Sequence, residues 1–328
     1  MKLLFRLLAP LFFTLTTLSA NAQAPILTAD AAILIDARTG QVLYEKNADK
    51  REYPASMTKM MTCILALEKG NPLKTIAVSA NAANVESTEL CGGEWIRLGD
   101  LTYQMMLISD NGAATAIAEA IGGNVNHFAS MMNEKARAIG AVGTHFVNAN
   151  GMPDEDHYST ARDMAKIAQY GLRNKEFRQI VSTRSKQVHY ERPSKNLPCT
   201  NTNHLLFTYD GAIGVKTGYT RAAQGCLAAA ATRNGRTLIA VIMHAGWDSR
   251  FTEAAALLDY GIGMKKLLVT SHWGLGTRDL NTTFEHRSIY TSRRFHSIMR
   301  RTNPVEPIEP VEPSEPIPAP LAEILHIH

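Results

Sequence analysis

Residues 54–69 read PASMTKMMTCILALEK, in which a serine and a lysine three positions apart open a run with helical apolar spacing. The run contains neither glycine nor proline, and the letters GNP at residues 70–72 end it. Because residues three apart share one face of a helix, we expect the amine of Lys59 beside the hydroxyl of Ser56. A serine hydroxyl is a weak nucleophile until a base takes its proton, and burial or a second cation lets lysine do so. The segment therefore predicts a helix that begins at a serine nucleophile.

Two further motifs place polar side chains where secondary structure is expected to break. Ser109 and Asn111 lie in the sequence SDN between predicted helices at 101–108 and 113–121. These residue types are also preferred helix N-caps, and capping is compatible with a role in a cleft. Lys216, Thr217 and Gly218 follow a short strand-like run, and at a strand edge they would present an ammonium and a hydroxyl to that cleft. Glycine there would let a peptide pair alongside the strand.

The order of the predicted elements indicates an α+β fold. Strand-like runs precede and follow a series of helical ones. Strands are predicted at residues 31–35, 41–44, 213–217, 225–232 and 237–243. Helices are predicted at residues 57–69, 101–108, 113–121, 126–139, 161–172 and 251–260. We expect an antiparallel sheet with the N- and C-terminal strands side by side, packed with helices, and an inserted helical subdomain.

Composition excludes several classes of function. The net charge of +4 comes from basic and acidic residues that are interspersed, which argues against a nucleic-acid partner. The four cysteines, Cys63, Cys91, Cys199 and Cys226, form no CxxC or Cys/His cluster, so neither a metal site nor another cofactor is expected. Their number is even, and the sequence leaves one or two disulfides open.

The two ends of the chain differ from its middle. Residues 1–22 combine Lys2 and Arg6, an apolar run too short to span a bilayer, and small residues at a cleavage position, which predicts a signal peptide and export to the periplasm or the outer cell surface. Residues 265–328 form a tail that is rich in proline and glutamate, and we expect disorder from about residue 303. The basic stretch 287–301 does not confine its charges to one helical face, so peripheral contact with membrane or wall is unsupported.

The three motifs occur together in the order that penicillin-binding proteins and class A β-lactamases share. Residues 31–62, 144–148, 157–163 and 214–220 closely resemble the low-molecular-mass D-alanyl-D-alanine carboxypeptidases, and the resemblance covers residues 26–264. It implies a β-lactamase/transpeptidase-like catalytic domain over 26–264. It also implies that the enzyme removes the terminal D-alanine from peptidoglycan stem pentapeptides through an acyl-enzyme, and that β-lactam antibiotics bind covalently.

The same resemblance implies a role for each motif residue. Five residues would be catalytic. Ser56 would be the nucleophile and Lys59 its base, Ser109 and Asn111 would complete the proton network, and Lys216 would supply positive potential. Four residues would bind the substrate. Thr217 and Arg250 would bind its terminal carboxylate, Gly218 would allow its backbone to approach closely, and the backbone N–H of Tyr219 would form part of the oxyanion hole. The backbone N–H of Ser56 would complete the oxyanion hole. Arg250 suits an exopeptidase because a free chain end is a carboxylate.

Three alternatives remain. A class A β-lactamase needs a glutamate that activates the deacylating water, and residues 112–215 contain no glutamate followed four residues later by asparagine. Asp110, where relatives often have glycine, nevertheless resembles that class. A peptidoglycan D,D-endopeptidase would use the same apparatus. A non-catalytic wall-binding protein would not require Ser56, Lys59 and Lys216. Many relatives also carry a second β-rich domain and an amphipathic anchor, for which residues 265–328 are too short.

Overall fold

A computed structural model of the chain describes residues 23–271, with side chains as far as residue 264. The predicted signal peptide at 1–22 lies outside the described residues, as does the tail beyond residue 271. Nine strands occur in this part of the chain: β1 Ala31–Asp36, β2 Val42–Lys46, β3 Thr75–Ala77, β4 Trp95–Arg97, β5 Ser185–Arg192, β6 Ser194–Thr200, β7 Ala212–Thr220, β8 Gln224–Arg233 and β9 Arg236–Ala245. Nine α-helices accompany them: α1 Lys59–Lys69, α2 Ala80–Ala83, α3 Leu98–Leu107, α4 Asn111–Gly122, α5 Val125–Ala138, α6 Ala161–Gly171, α7 Lys175–Ser182, α8 Leu205–Thr208 and α9 Ser249–Ser271.

The main sheet has five antiparallel strands in the order β2-β1-β9-β8-β7. The N-terminal strand β1 therefore lies beside the late strand β9, with Ala31 opposite Met243 and Asp36 opposite Leu238. The predicted α+β class and the predicted neighbourhood of the first and last strands are confirmed. β7 is left at an edge of the sheet, where one side of its backbone is open to a ligand.

Both faces of the main sheet are buried, by different helices. Ile33 and Ile35 of β1 join a core cluster that includes residues of α1, α3 to α7 and the second sheet. Ala32 and Leu34 point the other way, into a cluster that includes residues of α9. Strand side chains alternate between faces, so a continuous apolar run such as β1 is what a sheet covered on both sides requires.

Helix α9 is longer than predicted. It was expected at 251–260, inside a domain ending at 264, but it runs from Ser249 to Ser271. Gly261 disfavours helix in a sequence-based prediction. In the structure a Cβ at Gly261 would lie 2.7 Å from Cδ2 of Leu34 and 2.8 Å from Cδ1 of Leu238. The missing side chain therefore lets α9 pack closely on the sheet.

A second sheet, which no sequence pattern predicts, has four strands in the order β3-β4-β5-β6. In β5, the sequence SKQVHYER buries only Val188 and Tyr190, and β6 contains Pro198. Strands this polar lack the apolar signal on which strand prediction depends. Tertiary contacts with α3 supply what the local sequence lacks, since the Tyr190 hydroxyl donates to Oε1 of Gln104 at 2.8 Å.

All four cysteines are free thiols, so neither of the disulfides that the sequence left open is present. Within residues 23–271 there is no cluster of side chains suited to a metal ion. No helix of that region combines the length and apolarity needed to cross a bilayer.

Candidate active site

Ser56 lies in a 3-10 turn, Ala55–Thr58, that leads directly into α1. Ala55 has a φ of 46°, which turns the chain sharply just before the serine. β7 packs against this turn at Gly218, where a Cβ would lie 3.1 Å from each of the Ala55 Cβ, the Pro54 oxygen and the Ser56 nitrogen. Glycine at 218 is thus needed for packing against the nucleophile turn, in addition to the approach of a peptide expected from the sequence.

Lys59 is fully buried and has three polar neighbours. Its Nζ lies 2.8 Å from Oγ of Ser56, 2.7 Å from Oδ1 of Asn111 and 2.6 Å from the carbonyl oxygen of Asn150. The amide of Asn111 is oriented by its Nδ2, which donates to the Glu86 carbonyl at 2.8 Å. Two of the three neighbours of the amine are therefore acceptors only.

This environment favours a neutral amine. Burial, followed by the charge of Lys216, lowers the pKa of Lys59 well below its ordinary value, while Asp110 acts in the opposite direction. A neutral amine has two hydrogens and one lone pair. In the neutral form, with these hydrogens donated to Oδ1 of Asn111 and the carbonyl of Asn150, the lone pair would face the Ser56 hydroxyl.

The break between α3 and α4 carries the second motif. The Asp110 side chain caps α4 by accepting from the Ala113 N–H at 2.8 Å, so the helix-capping alternative holds for this residue. Asp110 also accepts from the Thr88 hydroxyl at 2.7 Å and from Gln104 at 2.9 Å. The rigid cap aims Asn111 at Lys59. Ser109 adopts a φ of 65° and lines the groove, but it makes no hydrogen bond to any described residue.

The loop at residues 147–152 was absent from the predicted site. Besides the contact of Lys59 with Asn150, the Thr62 hydroxyl donates to the Ala149 carbonyl at 2.6 Å, which ties the loop to α1. Oδ1 of Asn148 accepts from the Gly151 N–H at 2.7 Å, in a turn typical of the Asn-Gly pairs found there. The sequence NANG at residues 148–151 contains a local turn signal, but no local pattern places it beside Lys59.

Lys216 points inward from β7 and is 1% exposed. Its Nζ donates to the Thr217 carbonyl at 3.1 Å. Burial, and next the charge of Arg250, lowers the pKa of Lys216 to about 7. The hydroxyls of Thr217 and Thr202 lie 2.6 Å apart, and Thr202 is a second residue that the sequence did not indicate.

An open groove of about 360 Å³ runs between the sheet edge and the helical side of the molecule. Seven of the nine predicted site residues line it: Ser56, Ser109, Asn111, Thr217, Gly218, Tyr219 and Arg250. The two lysines lie behind its wall, buried against those residues. A larger cavity of about 870 Å³ opens elsewhere, beside α6 and α7, and contains none of the predicted site residues.

The chain is similar to known proteins over this same region. Residues 18–246 match the model of a peptidase family described as D-alanyl-D-alanine carboxypeptidase. A D-alanyl-D-alanine carboxypeptidase of Bacillus subtilis is 36% identical over 240 residues, which are 71% of this chain and 61% of that protein. A D-alanyl-D-alanine endopeptidase of Pseudomonas aeruginosa is 30% identical over 269 residues, 76% of this chain and 86% of that protein.

Solved structures give the same result. A variant of a Streptomyces DD-transpeptidase superposes with a TM-score of 0.70 and 32% identity, covering 73% of this chain and 99% of that one. The predicted β-lactamase/transpeptidase-like fold is confirmed by this likeness. With an antiparallel sheet, a Ser–Lys pair at a helix start and a family match over more than half its length, the chain belongs to the D-alanyl-D-alanine carboxypeptidase family of serine peptidases.

Proposed function

We propose that this protein is a serine D-alanyl-D-alanine carboxypeptidase that releases the terminal D-alanine from peptidoglycan stem pentapeptides. The observation that carries the proposal is the arrangement around Lys59. A buried amine with two acceptors for its hydrogens and a serine hydroxyl at 2.8 Å is a base already oriented toward its nucleophile.

The proposed reaction has two halves. In the first, the Ser56 hydroxyl passes its proton to Lys59 as Oγ attacks the carbonyl of the penultimate D-alanine. The backbone N–H groups of Ser56 and Tyr219 stabilise the oxyanion. The C–N bond then breaks, and free D-alanine leaves with the proton on its amine. In the second half water attacks the ester, again with Lys59 as the base, and Ser56 regains its proton.

The substrate's chain end would be recognised on the β7 side of the groove. Arg250 and Thr217 are both buried and both line the groove, which suits binding of the terminal carboxylate. Lys216, buried beside Thr217, adds positive potential when it is protonated. We further propose that the catalytic domain comprises residues 26–264 with the rest of α9, and that the protein acts outside the cytoplasm after removal of residues 1–22.

Covalent labelling with a fluorescent penicillin, followed by mass spectrometry, tests this function. We expect one adduct on Ser56, and D-alanine release from a pentapeptide ending in D-Ala-D-Ala. Ser56→Ala should abolish both while leaving thermal unfolding nearly unchanged, since Ser56 contributes little to the core. A wild-type protein that forms no adduct and releases no D-alanine would refute the proposal and favour a wall-binding role. Rapid turnover of nitrocefin would instead indicate a β-lactamase.

A D,D-endopeptidase is the second candidate, because a relative with 30% identity carries that name. The Ser56–Lys59 pair would acylate a cross-linked peptide by the same chemistry. Mass spectrometry of products from a cross-linked muropeptide dimer distinguishes the two reactions. Release of D-alanine without cleavage of the dimer would support the carboxypeptidase, and cleavage to monomers would support the endopeptidase.

A further inference from the structure

Arg250 is a buried cation with most of its hydrogen-bond donors unused. It is 4% exposed, and among the described residues its guanidinium makes one hydrogen bond, from Nη1 to the Gly218 carbonyl at a long 3.3 Å. Its Nε is buried and has no partner among the described residues, and no carboxylate within residues 23–264 forms an ion pair with it. A guanidinium has five N–H groups, so this one can still bind an incoming carboxylate through two of them.

Aromatic rings, rather than hydrogen bonds, hold this guanidinium. Its Cζ lies 4.1 Å from the centroid of the Trp247 ring and 4.8 Å from that of Phe251. Trp247 is in turn braced by Tyr219 in an edge-to-face contact with centroids 4.7 Å apart. Phe251 stacks on His204 at 4.8 Å. A cation over an aromatic face is attracted by the ring quadrupole, and the attraction is strongest for tryptophan.

Packing in the hydrophobic core does not account for the tryptophan at position 247. It lies in the connection between β9 and α9, is 55% exposed and belongs to neither core cluster. Its ring contacts are with Arg250 and Tyr219, and all three residues line the groove. The half-exposed Trp247 ring thus contacts a single cation, Arg250, and is braced there by Tyr219.

We propose that Trp247 is the positioning residue that sets selectivity for a free terminal carboxylate, by holding the Arg250 guanidinium toward the groove. This inference rests on the proposed function, in which Arg250 binds that carboxylate. Without the ring, the long arginine side chain gains freedom to turn its charge toward water. Substrates with a charged chain end should then lose affinity, whereas substrates whose chain end is neutral should not.

The test compares one pentapeptide ending in D-Ala-D-Ala with its C-terminal amide, on the full chain. For Trp247→Ala we expect KM for the free acid to rise by about 3- to 30-fold, the range of a lost cation–π contact, with kcat nearly unchanged. Kinetic constants for the amide should stay near wild type. Trp247→Phe should restore most of the preference for the acid. Trp95→Ala removes a tryptophan of similar exposure from β4, outside the groove, and should change neither substrate.

Binding separates this inference from the proposed function. Calorimetry with Ser56→Ala protein, with and without Trp247→Ala, reports the same acid-over-amide selectivity in the absence of turnover. Selective loss for the acid in the double variant supports the role of Trp247. An equal loss for both peptides, no loss, or no rescue by Trp247→Phe would overturn it. Failure of the wild type to form a penicillin adduct would count against the proposed function. The binding comparison would still show whether Trp247 controls selectivity for the free acid over the amide.

Discussion

His157 gives the structure a pH dependence whose size can be worked out. It is 1% exposed, and its Nδ1 accepts from the Val147 N–H at 3.1 Å, so its hydrogen is on Nε2, which donates to the Thr58 hydroxyl at 2.8 Å. Burial lowers the pKa of His157 to about 4. Protonation would place a second N–H against the Val147 N–H and would break the link to the loop behind the nucleophile helix.

The sign follows from proton binding. In the unfolded chain a histidine titrates near pH 6.5, so between about pH 6.5 and 4 the unfolded state binds more protons than the folded state. The free energy of unfolding therefore falls as the pH is lowered through this window. The contribution of His157 is complete above about pH 6.5, diminished by about 2 kcal/mol at pH 5 and by about 3 kcal/mol below pH 4.

Urea unfolding followed by tryptophan fluorescence, at about pH 7.5 and pH 5, measures this contribution. His157→Asn stays neutral at both values, so between them it should lose about 2 kcal/mol less stability than the wild type. His189→Asn, at an exposed position of β5, is the matched control and should lose as much as the wild type. Equal losses in the wild type and His157→Asn would refute the reasoning.

Three further substitutions test the site. Lys216→Gln removes a charge that disfavours protonation of Lys59, so the pKa of Lys59 should rise. The acidic limb of the pH–rate profile for penicillin acylation should therefore move to higher pH, and a limb that stays in place would contradict this coupling between the two lysines. Gly218→Ala should slow acylation of Ser56 by about 10- to 100-fold, because its Cβ would displace the nucleophile turn, and stopped-flow rates near wild type would show that the turn tolerates it. Asp110→Ala leaves the donors from Thr88, Gln104 and the Ala113 N–H without an acceptor, so the free energy of unfolding should fall by about 3 kcal/mol. A loss under about 1 kcal/mol in urea unfolding would mean that water replaces the carboxylate.

The local signals in the sequence were sufficient for the main elements. A spacing of three placed Ser56 and Lys59 together, because helical geometry relates nearby positions without help from the rest of the chain. Apolar runs predicted strands at β1, β8 and β9, and the structure shows that these strands are buried along most of their length. Asp110 was foreseeable as a cap because capping is also a local interaction.

Burial and long-range contact could not be predicted in this way. The Asn150 carbonyl reaches Lys59 across 91 residues, and Thr202 reaches Thr217 through the meeting of two separate segments. The pairing of β1 with β9 could be expected, but the second sheet could not, since its strands gain stability from partners rather than from their own residues.

The sequence by itself determined which groups this protein brings to the reaction: several hydroxyls, two amines, an amide and a guanidinium, each on an element that its neighbours specify. Only the tertiary structure decided their protonation and aim. Burial lowers the pKa values of both Lys59 and Lys216, and a nearby charge lowers each further, that of Lys216 for Lys59 and that of Arg250 for Lys216. Desolvation and charge proximity are properties of three-dimensional packing, which no short stretch of chain contains.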